Sequence, residues 1–254
     1  MTVQLLLIDA LNLIRRIHAT IPDNQTALIE RCDSAIKKAL RQHGPSHAML
    51  VWDGGHQHSW RRELYPQYKA QRKPMPDDLA ANLPALQQHL EQMGLGSVRQ
   101  DNIEADDLIA TIAVKVVEHG GHVVILSTDK GFGQLHRVGL TQWDHFEGEA
   151  LDLPKLEQKV GVPQHQLLDF WALAGDSGNG IPGVPGIGKK TAQKLLQQHQ
   201  NLSQIFTPGT VEGKLGDTLH QHRYQARLSY ALVRLRQDLI LNLSLNQFRL
   251  REPA

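Results

Sequence analysis

Apolar positions in the first part of the chain follow two alternating patterns. Val3–Ile8, His47–Trp52 and His122–Leu126 are short apolar runs, which are typical of strands buried on both faces of a sheet. Between them, Ala27–His43 and Ala105–His119 carry apolar residues every three or four positions and end at glycine, which predicts helices. Strands that alternate with helices in this way indicate a parallel α/β sheet.

The second part of the chain has a different pattern. From Pro154 onward the strand pattern fades, and helical segments surround the Gly/Pro-rich stretch Gly175–Gly188. A further helix is predicted from Asp217 onward. We therefore predict an α/β domain over residues 1–150 and a helical domain over residues 151–254.

A long insertion, residues 57–96, separates the second and third predicted strands. Its first half mixes aromatic with positively charged side chains, and a helix is predicted from Asp77 to Met93. Insertions of this length are usually either functional or disordered. Taken alone, the basic aromatic stretch Trp60–Lys73 fits either a surface that holds DNA or a solvated face with buried rings.

Composition narrows the class of protein. The 254 residues carry a net charge of +1, so any affinity for nucleic acid has to come from local patches. Cys32 is the only cysteine, which excludes an intrachain disulfide and fits a reducing cytosol. The N-terminal apolar run is short and is followed by Asp9, unlike a signal peptide or a membrane span. We expect a cytoplasmic protein without a membrane segment.

Acidic residues follow all three predicted strands. Asp9 and Asp53 come directly after the first two, and Asp129 follows the third after two residues. Because the carboxyl ends of parallel strands share one edge of a sheet, we expect these acids to converge. The helix that leads into the third strand opens with three more acids, namely Glu104, Asp106 and Asp107. In a right-handed βαβ unit that helix begins near the same edge, so six carboxylates are predicted to approach one point.

Carboxylates at close range require protons or cations, because like charges disfavour each other's ionised form. Ligands that are all oxygen suit hard ions such as Mg²⁺ or Mn²⁺, which commonly serve phosphate-ester hydrolysis. Taken singly, each acid also fits an ordinary role as a turn residue, a helix N-cap or a partner of the helix dipole. Haloacid-dehalogenase phosphatases, another acidic-site class, need a second acid where this chain has Leu11.

A glycine-rich turn with lysines precedes a predicted helix near residue 190. Its residues are Gly186, Ile187, Gly188, Lys189, Lys190 and Thr191. Glycines permit a tight turn, and the amides at the helix N-terminus suit a phosphate group. The pattern predicts a helix-hairpin-helix motif, at about residues 171–199, that grips a DNA backbone without reading bases. The plainer interpretation is a glycine turn between two helix caps.

Together these motifs resemble the 5′ nuclease family, which includes the N-terminal domain of bacterial DNA polymerase I. The matching segments are Leu7–Asp9, Val51–Asp53, Tyr68–Arg72, Glu104–Asp107, Ser127–Lys130 and Trp171–Gly188. The resemblance implies a Rossmann-like, PIN-like nuclease core with a helical arch over the active site and a C-terminal helix-hairpin-helix (H3TH) subdomain. It also implies Mg²⁺- or Mn²⁺-dependent cleavage of DNA near a 5′ flap or another junction of single strand and duplex.

The resemblance also implies roles for individual residues. The first metal site maps to Asp9, Asp53, Glu104, Asp106 and Asp107, of which Asp9 and Asp53 are counted as catalytic. Lys69 matches a lysine beside the scissile phosphate, and Arg72 of the same motif is expected to contact DNA. A K⁺ site of backbone carbonyls maps to Leu173, Ala174, Pro182, Val184 and Ile187.

The chain departs from the family at the second metal site. Asp129 and Asp176 remain, but Gly131 and Asn179 stand where the family has acids. We therefore expect one tightly held ion and a weak second site, with a positive φ at Gly131 as the risk in restoring that acid. The rival hypothesis is a protein that binds DNA junctions with weak or lost catalysis. A monomer is expected.

Overall fold

The structure is a computed structural model that describes residues 2–55 and 58–250. Gln57, where the predicted insertion begins, lies outside the described residues. The chain forms two compact units. The α/β unit comprises Met1–Ser59, Pro74–Leu151 and Arg236–Ala254. The helical unit comprises Trp60–Lys73 and Asp152–Leu235.

Within the described residues, the strands of the α/β unit form one six-stranded sheet. The strands are β1 (Gln4–Asp9), β2 (His47–Val51), β3 (Gly96–Val98), β4 (His122–Leu126), β5 (Leu140–Asp144) and β6 (Glu149–Ala150). Their spatial order is β3-β2-β1-β4-β5-β6, and every neighbouring pair is parallel except β5 with β6. β2 is buried along its whole length, as a continuous apolar run predicts. The predicted parallel α/β fold is confirmed.

The α-helices are numbered in chain order across both units. They are α1 (Ala10–His18), α2 (Gln25–His43), α3 (Trp60–Leu64), α4 (Asp77–Gln92), α5 (Ala105–Glu118), α6 (Leu153–Val160), α7 (Leu167–Ala174), α8 (Lys189–Gln198), α9 (Leu202–Ile205), α10 (Gly213–Gln221) and α11 (Arg223–Val233). Within the described residues no helix is long and apolar enough to cross a membrane.

Local sequence signals set the ends of the long helices. Asn24 caps α2 by accepting a hydrogen bond from Ala27 N (3.0 Å), and Gly44 ends it in the left-handed conformation with φ +50°. The Asn24 cap explains why the predicted helix Ala27–His43 begins two residues earlier in the structure, at Gln25. By contrast, α4 and α5 begin at the predicted residues, Asp77 and Ala105.

The main core of the α/β unit lies between the sheet and the helices α1, α2 and α4. Its larger buried side chains are Leu6, Ile8, Leu13, Ile14, Leu28, Ile36, Leu50, Leu79, Leu86 and Leu90. Leu6 and Ile8 alternate along β1, so they point to the same face of the sheet. This packing holds the C-terminal ends of β1 and β2, and therefore the residues that follow them, in fixed positions.

The segment Trp60–Lys73 folds with the helical unit, although the predicted domain boundary assigns it to residues 1–150. Tyr68 is buried with Ile181 and Leu232. Arg61 is only 2% exposed and donates hydrogen bonds from Nε to Leu232 O and from Nη2 to Arg234 O, both 2.9 Å. These contacts join positions far apart in sequence, so no local pattern could have revealed them.

The C-terminal tail also differs from the prediction. A single helix was expected from Asp217, but α10 and α11 are separate, and α11 ends at Val233. Residues from Arg236 onward belong to the α/β unit, where Phe248 is buried. Gly96 makes room for it, since a Cβ there would lie 2.5 Å from the Phe248 ring.

Candidate functional site

Asp9 is a buried acid at the C-terminal end of β1. One oxygen accepts a hydrogen bond from Asn12 N (3.2 Å) and the other accepts one from Ser127 Oγ (2.8 Å). Burial raises the pKa of Asp9 to about 7, and the negative charges of Asp53 and Asp129 act in the same direction, against the two hydrogen bonds. The sheet edge therefore brings these three acids into electrostatic range, as predicted.

Asp53 links the end of β2 to the start of α5. Its Oδ1 accepts a hydrogen bond from Ala105 N (2.9 Å), the first residue of that helix. Glu104 stands at the N-cap position of α5 and is 1% exposed. The structure thus places Asp53, which follows β2, and Glu104, which precedes α5, at the same edge of the sheet. The C-terminal ends of the parallel strands and the N-terminus of this helix meet there.

Asp106 and Asp107 differ in their surroundings. Asp106 is partly exposed in the first turn of α5. Asp107 is fully buried, and its Oδ1 accepts a hydrogen bond from Arg236 N (2.9 Å), while Thr111 Oγ1 donates to Arg236 O (3.1 Å). Asp107 therefore anchors the C-terminal tail on α5. Its predicted role as a metal ligand stays a prediction.

Several of the predicted acids are also N-caps of helices or 3₁₀ turns, which is the ordinary structural role that the sequence alone left open for each acid. Asp9 caps α1, Asp129 caps the 3₁₀ turn Lys130–Leu135 by accepting from Gly131 N (2.7 Å), and Asp176 caps the turn Ser177–Asn179. Within residues 2–55 and 58–250, no three Asp, Glu, His or Cys side chains are arranged to hold a metal ion. The structure brings predicted acids to one edge of the sheet, and their role as a common set of metal ligands stays a prediction.

The donor chemistry of this edge nevertheless fits a hard divalent cation. The donors are carboxylate oxygens, and burial with neighbouring negative charge disfavours ionisation of Asp9. A divalent cation at this edge would relieve that repulsion and lower the pKa of Asp9. Oxygen donors without nitrogen or sulphur are the set that Mg²⁺ and Mn²⁺ prefer.

The glycine hairpin of the helical unit depends on close backbone packing. Gly175 and Gly183 both have positive φ, +76° and +67°. A Cβ at Gly183 would lie 2.3 Å from Gly175 N and 2.6 Å from Leu173 O, so no other residue fits without a shift. Val184 and Ile187 are buried and anchor the turn.

The hairpin leads into an N-terminus suited to an anion. Gly188 occupies the N-cap of α8 without a side-chain hydrogen bond, and Lys189 and Lys190 are exposed in the first turn. Gly186 has φ +77°, while a Cβ at Gly186 or Gly188 would meet nothing within 4 Å. An uncapped helix start beside lysines favours a phosphate group.

The carbonyl groups predicted for K⁺ lie in this hairpin, and two of them already accept hydrogen bonds. Leu173 O accepts from Val184 N (2.8 Å), and Val184 O accepts from Ile187 N (2.9 Å). Each carbonyl oxygen has a second lone pair. Pro182 O lies 2.9 Å from the position of a Cβ on Gly175, so this glycine keeps the carbonyl accessible.

Lys69 and Arg72 belong to the helical unit, and both donate hydrogen bonds to Asn179. Lys69 N donates to Asn179 O (2.8 Å), and Arg72 Nη2 donates to Asn179 Oδ1 (2.6 Å). Asp176, the acid retained in the same turn, accepts hydrogen bonds from Gly178 N (3.0 Å) and Asn179 Nδ2 (2.7 Å).

Gly131 does not have the positive φ that was considered a risk. A Cβ there would lie 3.0 Å from Asp129 Oδ1, so the obstacle to a side chain is a close contact with that acid. The glycine is the second residue of the 3₁₀ turn Lys130–Leu135, whose backbone conformation any residue can adopt.

Sequence reasoning missed the polar residues that orient the acids. Ser127 donates to Asp9, and Asn12 Oδ1 accepts from both the backbone and the hydroxyl of Thr128, each at 3.1 Å. Ser127 and Thr128 lie in the matched segment before Asp129, so the motif itself held this signal. Asn12 gave no signal apart from its place in the helix that follows Asp9.

An α/β sheet with buried acids at its strand ends and a helical unit with a glycine hairpin define the class of 5′ nucleases. The chain matches the family described as 5′-3′ exonuclease, N-terminal resolvase-like domain, over residues 4–161. Residues 162–254 match 5′-3′ exonuclease, C-terminal SAM fold. The chain therefore belongs to the 5′-3′ exonuclease family.

Similar proteins agree with this assignment. The chain is 50% identical over 252 residues to flap endonuclease Xni of Shewanella sp. (strain ANA-3), which covers 98% of this chain and 96% of that relative. Its fold is similar to T5 5′-exonuclease with divalent metal ions (zinc) bound, with TM-score 0.76, 21% identity and coverage of 90% and 88%. It is also similar to the catalytic core of Rad2 in complex with DNA substrate, with TM-score 0.56, 16% identity and coverage of 93% and 81%.

Proposed function

We propose that the protein is a structure-specific flap endonuclease that hydrolyses phosphodiester bonds in branched DNA with the help of a divalent metal ion. The observation that carries the proposal is the buried acidic edge of the sheet, where burial and then neighbouring negative charge raise the pKa of Asp9 to about 7. The name and near full-length coverage of the flap endonuclease Xni relative support the same substrate class.

Mg²⁺ or Mn²⁺ is the proposed cofactor. Asp9, Asp53, Glu104, Asp106 and Asp107 would hold it. The bound ion would supply charge stabilisation and a more acidic water at the scissile phosphate. The divalent ions bound to T5 5′-exonuclease support a metal-dependent reaction of this kind.

The helical unit would bind the DNA. The exposed lysines and uncapped amides at the start of α8 would grip the phosphate backbone of the duplex. Lys69 would steady the phosphate near the reaction, where a cation stabilises developing negative charge. The carbonyls of Leu173, Ala174, Pro182, Val184 and Ile187 would bind K⁺ and so place one more positive charge beside the DNA.

A second candidate function is junction binding with weak or lost catalysis. It is favoured by Gly131 and Asn179, which replace two acids of the family pattern. One oxygen of Asp129 and one of Asp176 each accept a hydrogen bond from a turn amide. Few carboxylate oxygens therefore remain to coordinate a second ion. We therefore propose one tightly held ion and a weakly held second one. A monomer and a cytoplasmic location stay predictions.

The decisive experiment is cleavage of a 5′-labelled flap substrate. With Mg²⁺ or Mn²⁺ we expect a product cut near the base of the flap, and with EDTA we expect none. A single-stranded oligonucleotide and an unbranched duplex of the same sequence serve as substrate controls. A metal-replete protein that binds the flap tightly but leaves it intact would establish the junction-binding function instead.

A further inference from the structure

Asn179 connects two separate segments of the helical unit through hydrogen bonds. Its main-chain oxygen accepts from Lys69 N (2.8 Å), and its side-chain oxygen accepts from Arg72 Nη2 (2.6 Å). Its side-chain nitrogen donates to Asp176 Oδ2 (2.7 Å). One residue therefore fastens the basic segment Lys69–Arg72 to the turn that precedes the glycine hairpin.

An amide is the side chain that this arrangement requires. Asn179 presents an acceptor to the Arg72 guanidinium and a donor to the Asp176 carboxylate, whereas an ionised aspartate offers acceptors only. Aspartate at this position would bring two carboxylates to hydrogen-bond distance, which disfavours both charges. Asparagine thus replaces the acid of the family pattern at a position where its amide forms hydrogen bonds with both Arg72 and Asp176.

The backbone at this junction is closely packed. Lys69 has φ +54°, in the left-handed region that lysine rarely adopts. Such a conformation persists only where surrounding contacts enforce it. Gly180 has φ +67°, and a Cβ there would lie 3.0 Å from Gln67 O, so a glycine is needed for the two segments to approach.

We propose that Asn179 is a positioning residue that holds Lys69 and Arg72 in a preformed phosphate-binding edge. This inference deepens the proposed function and rests on it. Within the described residues Asn179 is the hydrogen-bond partner of the exposed Arg72 side chain, and one guanidinium nitrogen makes that bond. The remaining N–H groups can donate to a phosphate, since guanidinium offers five donors in a rigid fork. Asn179 acts on DNA through these cations, and it is not a residual metal ligand.

Hydrogen exchange of the free, metal-free protein tests the positioning directly. In Asn179→Ala we expect the amides of Lys69–Arg72 to exchange about tenfold faster or more, because a hydrogen bond to a charged group is lost. Ser177→Ala is the matched control, since Ser177 is exposed in the same turn and its side chain makes no hydrogen bond within the described residues. Unchanged exchange in a folded Asn179→Ala protein would overturn the proposal.

A polarity swap separates positioning from general damage. In Asn179→Asp alone, the hydrogen bond to Asp176 is replaced by repulsion, so exchange should again accelerate. In the double variant Asp176→Asn with Asn179→Asp, an amide again faces a carboxylate and the oxygen facing Arg72 is kept. We expect the double variant to restore the slow exchange of the wild type. Failure of this rescue in a protein with an unchanged melting temperature would count against the proposal.

DNA binding and Mg²⁺ dependence complete the test. In EDTA, Asn179→Ala should raise the Kd for flap DNA about fivefold to tenfold, while Ser177→Ala leaves it unchanged. If Asn179 is instead a lost metal ligand, Asn179→Asp will leave exchange unchanged and lower the Mg²⁺ concentration for half-maximal cleavage. Hydrogen exchange needs neither DNA nor cleavage, so a wild-type protein that fails to cut flaps would refute the proposed function and leave this result intact.

Discussion

Burial and neighbouring negative charge both oppose ionisation of Asp9. It is 6% exposed, and its pKa is raised from the ordinary value of 3.8 to about 7, first by burial and then by the charges of Asp53 and Asp129. In the folded, metal-free protein this carboxyl keeps its proton to near neutral pH, whereas the unfolded chain ionises it near pH 4. Its contribution to stability is therefore present below pH 4 and is lost as the pH rises through about 7.

Asp9→Asn should remove this pH dependence. With EDTA present, the wild type should lose up to about 4 kcal/mol of unfolding free energy from this group between pH 4 and pH 8. The variant keeps acceptor and donor atoms for Asn12 and Ser127 but carries no charge, so its stability should fall less over the same range. Urea unfolding at pH 5 and pH 8 measures the difference. Parallel pH profiles would show that Asp9 ionises normally in the fold.

Glu104→Gln tests the acidic edge as a metal centre. Glu104 is 1% exposed at the start of α5, and glutamine keeps its shape while removing the charge. We expect flap cleavage to fall about 100-fold or more, with circular dichroism unchanged. Glu30→Gln is the matched control, because Glu30 is exposed on α2. Equal activity of the two variants would remove Glu104 from the site.

At the scale of elements, the hairpin before α8 is the part most dependent on backbone geometry. Gly175 and Gly183 face each other with positive φ, so the end of α7 and the following turn approach closely. Gly186 also has positive φ, but the space around it is open. Substitutions at Gly183 and at Gly186 therefore separate the destabilisation caused by a positive φ from the destabilisation caused by close packing.

Gly183→Ala should destabilise the protein by about 2–4 kcal/mol, since the new Cβ meets Gly175 N and Leu173 O in addition to a strained φ. Gly186→Ala should cost only about 1 kcal/mol, the left-handed backbone penalty. Chemical denaturation of both variants checks the ranking. Equal losses would mean that packing at Gly183 is looser than the structure indicates.

The same hairpin should distinguish monovalent cations. K⁺ is expected to strengthen DNA binding more than Na⁺ at equal ionic strength, because a ring of carbonyls selects by the number and placement of its dipoles. Equal ionic strength is essential, since any salt weakens phosphate contacts by counterion release. Fluorescence anisotropy with a labelled flap in EDTA measures both affinities. Identical Kd values would argue against a specific ion in the hairpin.

At the scale of the whole molecule, the chain crosses between its two units more than once. Residues 60–73 leave the α/β unit to fold with the helical unit, and residues from Arg236 return. The returning tail is fixed by Asp107, by Lys115 Nζ, which donates to Leu239 O (2.9 Å), and by the buried Phe248. The α/β unit is therefore completed by the C-terminal end of the chain.

Phe248→Ala should lower the unfolding free energy by about 3 kcal/mol, because a buried aromatic side chain leaves a cavity beside Gly96. Ile240→Ala in the same tail should change it by less than about 0.5 kcal/mol, since Ile240 is 86% exposed. Thermal and urea unfolding of both variants provide the comparison. A neutral Phe248→Ala would show that the tail contributes little to the α/β unit.

Much of the fold was predictable because its signals are local. β4 and the starts of α4 and α5 fall at the predicted residues. The short strand β3 and the partly polar strand β5, around Gln142, were missed because three residues, or a mixed pattern, give too weak a periodicity.

By itself the sequence determined the parallel sheet, the acids that follow its strands and the glycines of the hairpin, since periodicity, caps and turns depend on neighbouring residues. Only the tertiary structure decided which donors each carboxylate meets and which unit the basic segment joins. The hydrogen bond from Arg72 to Asn179 spans 107 positions, and that from Arg236 to Asp107 spans 129. Such pairs form only when packing brings distant residues together, so no local pattern encodes them.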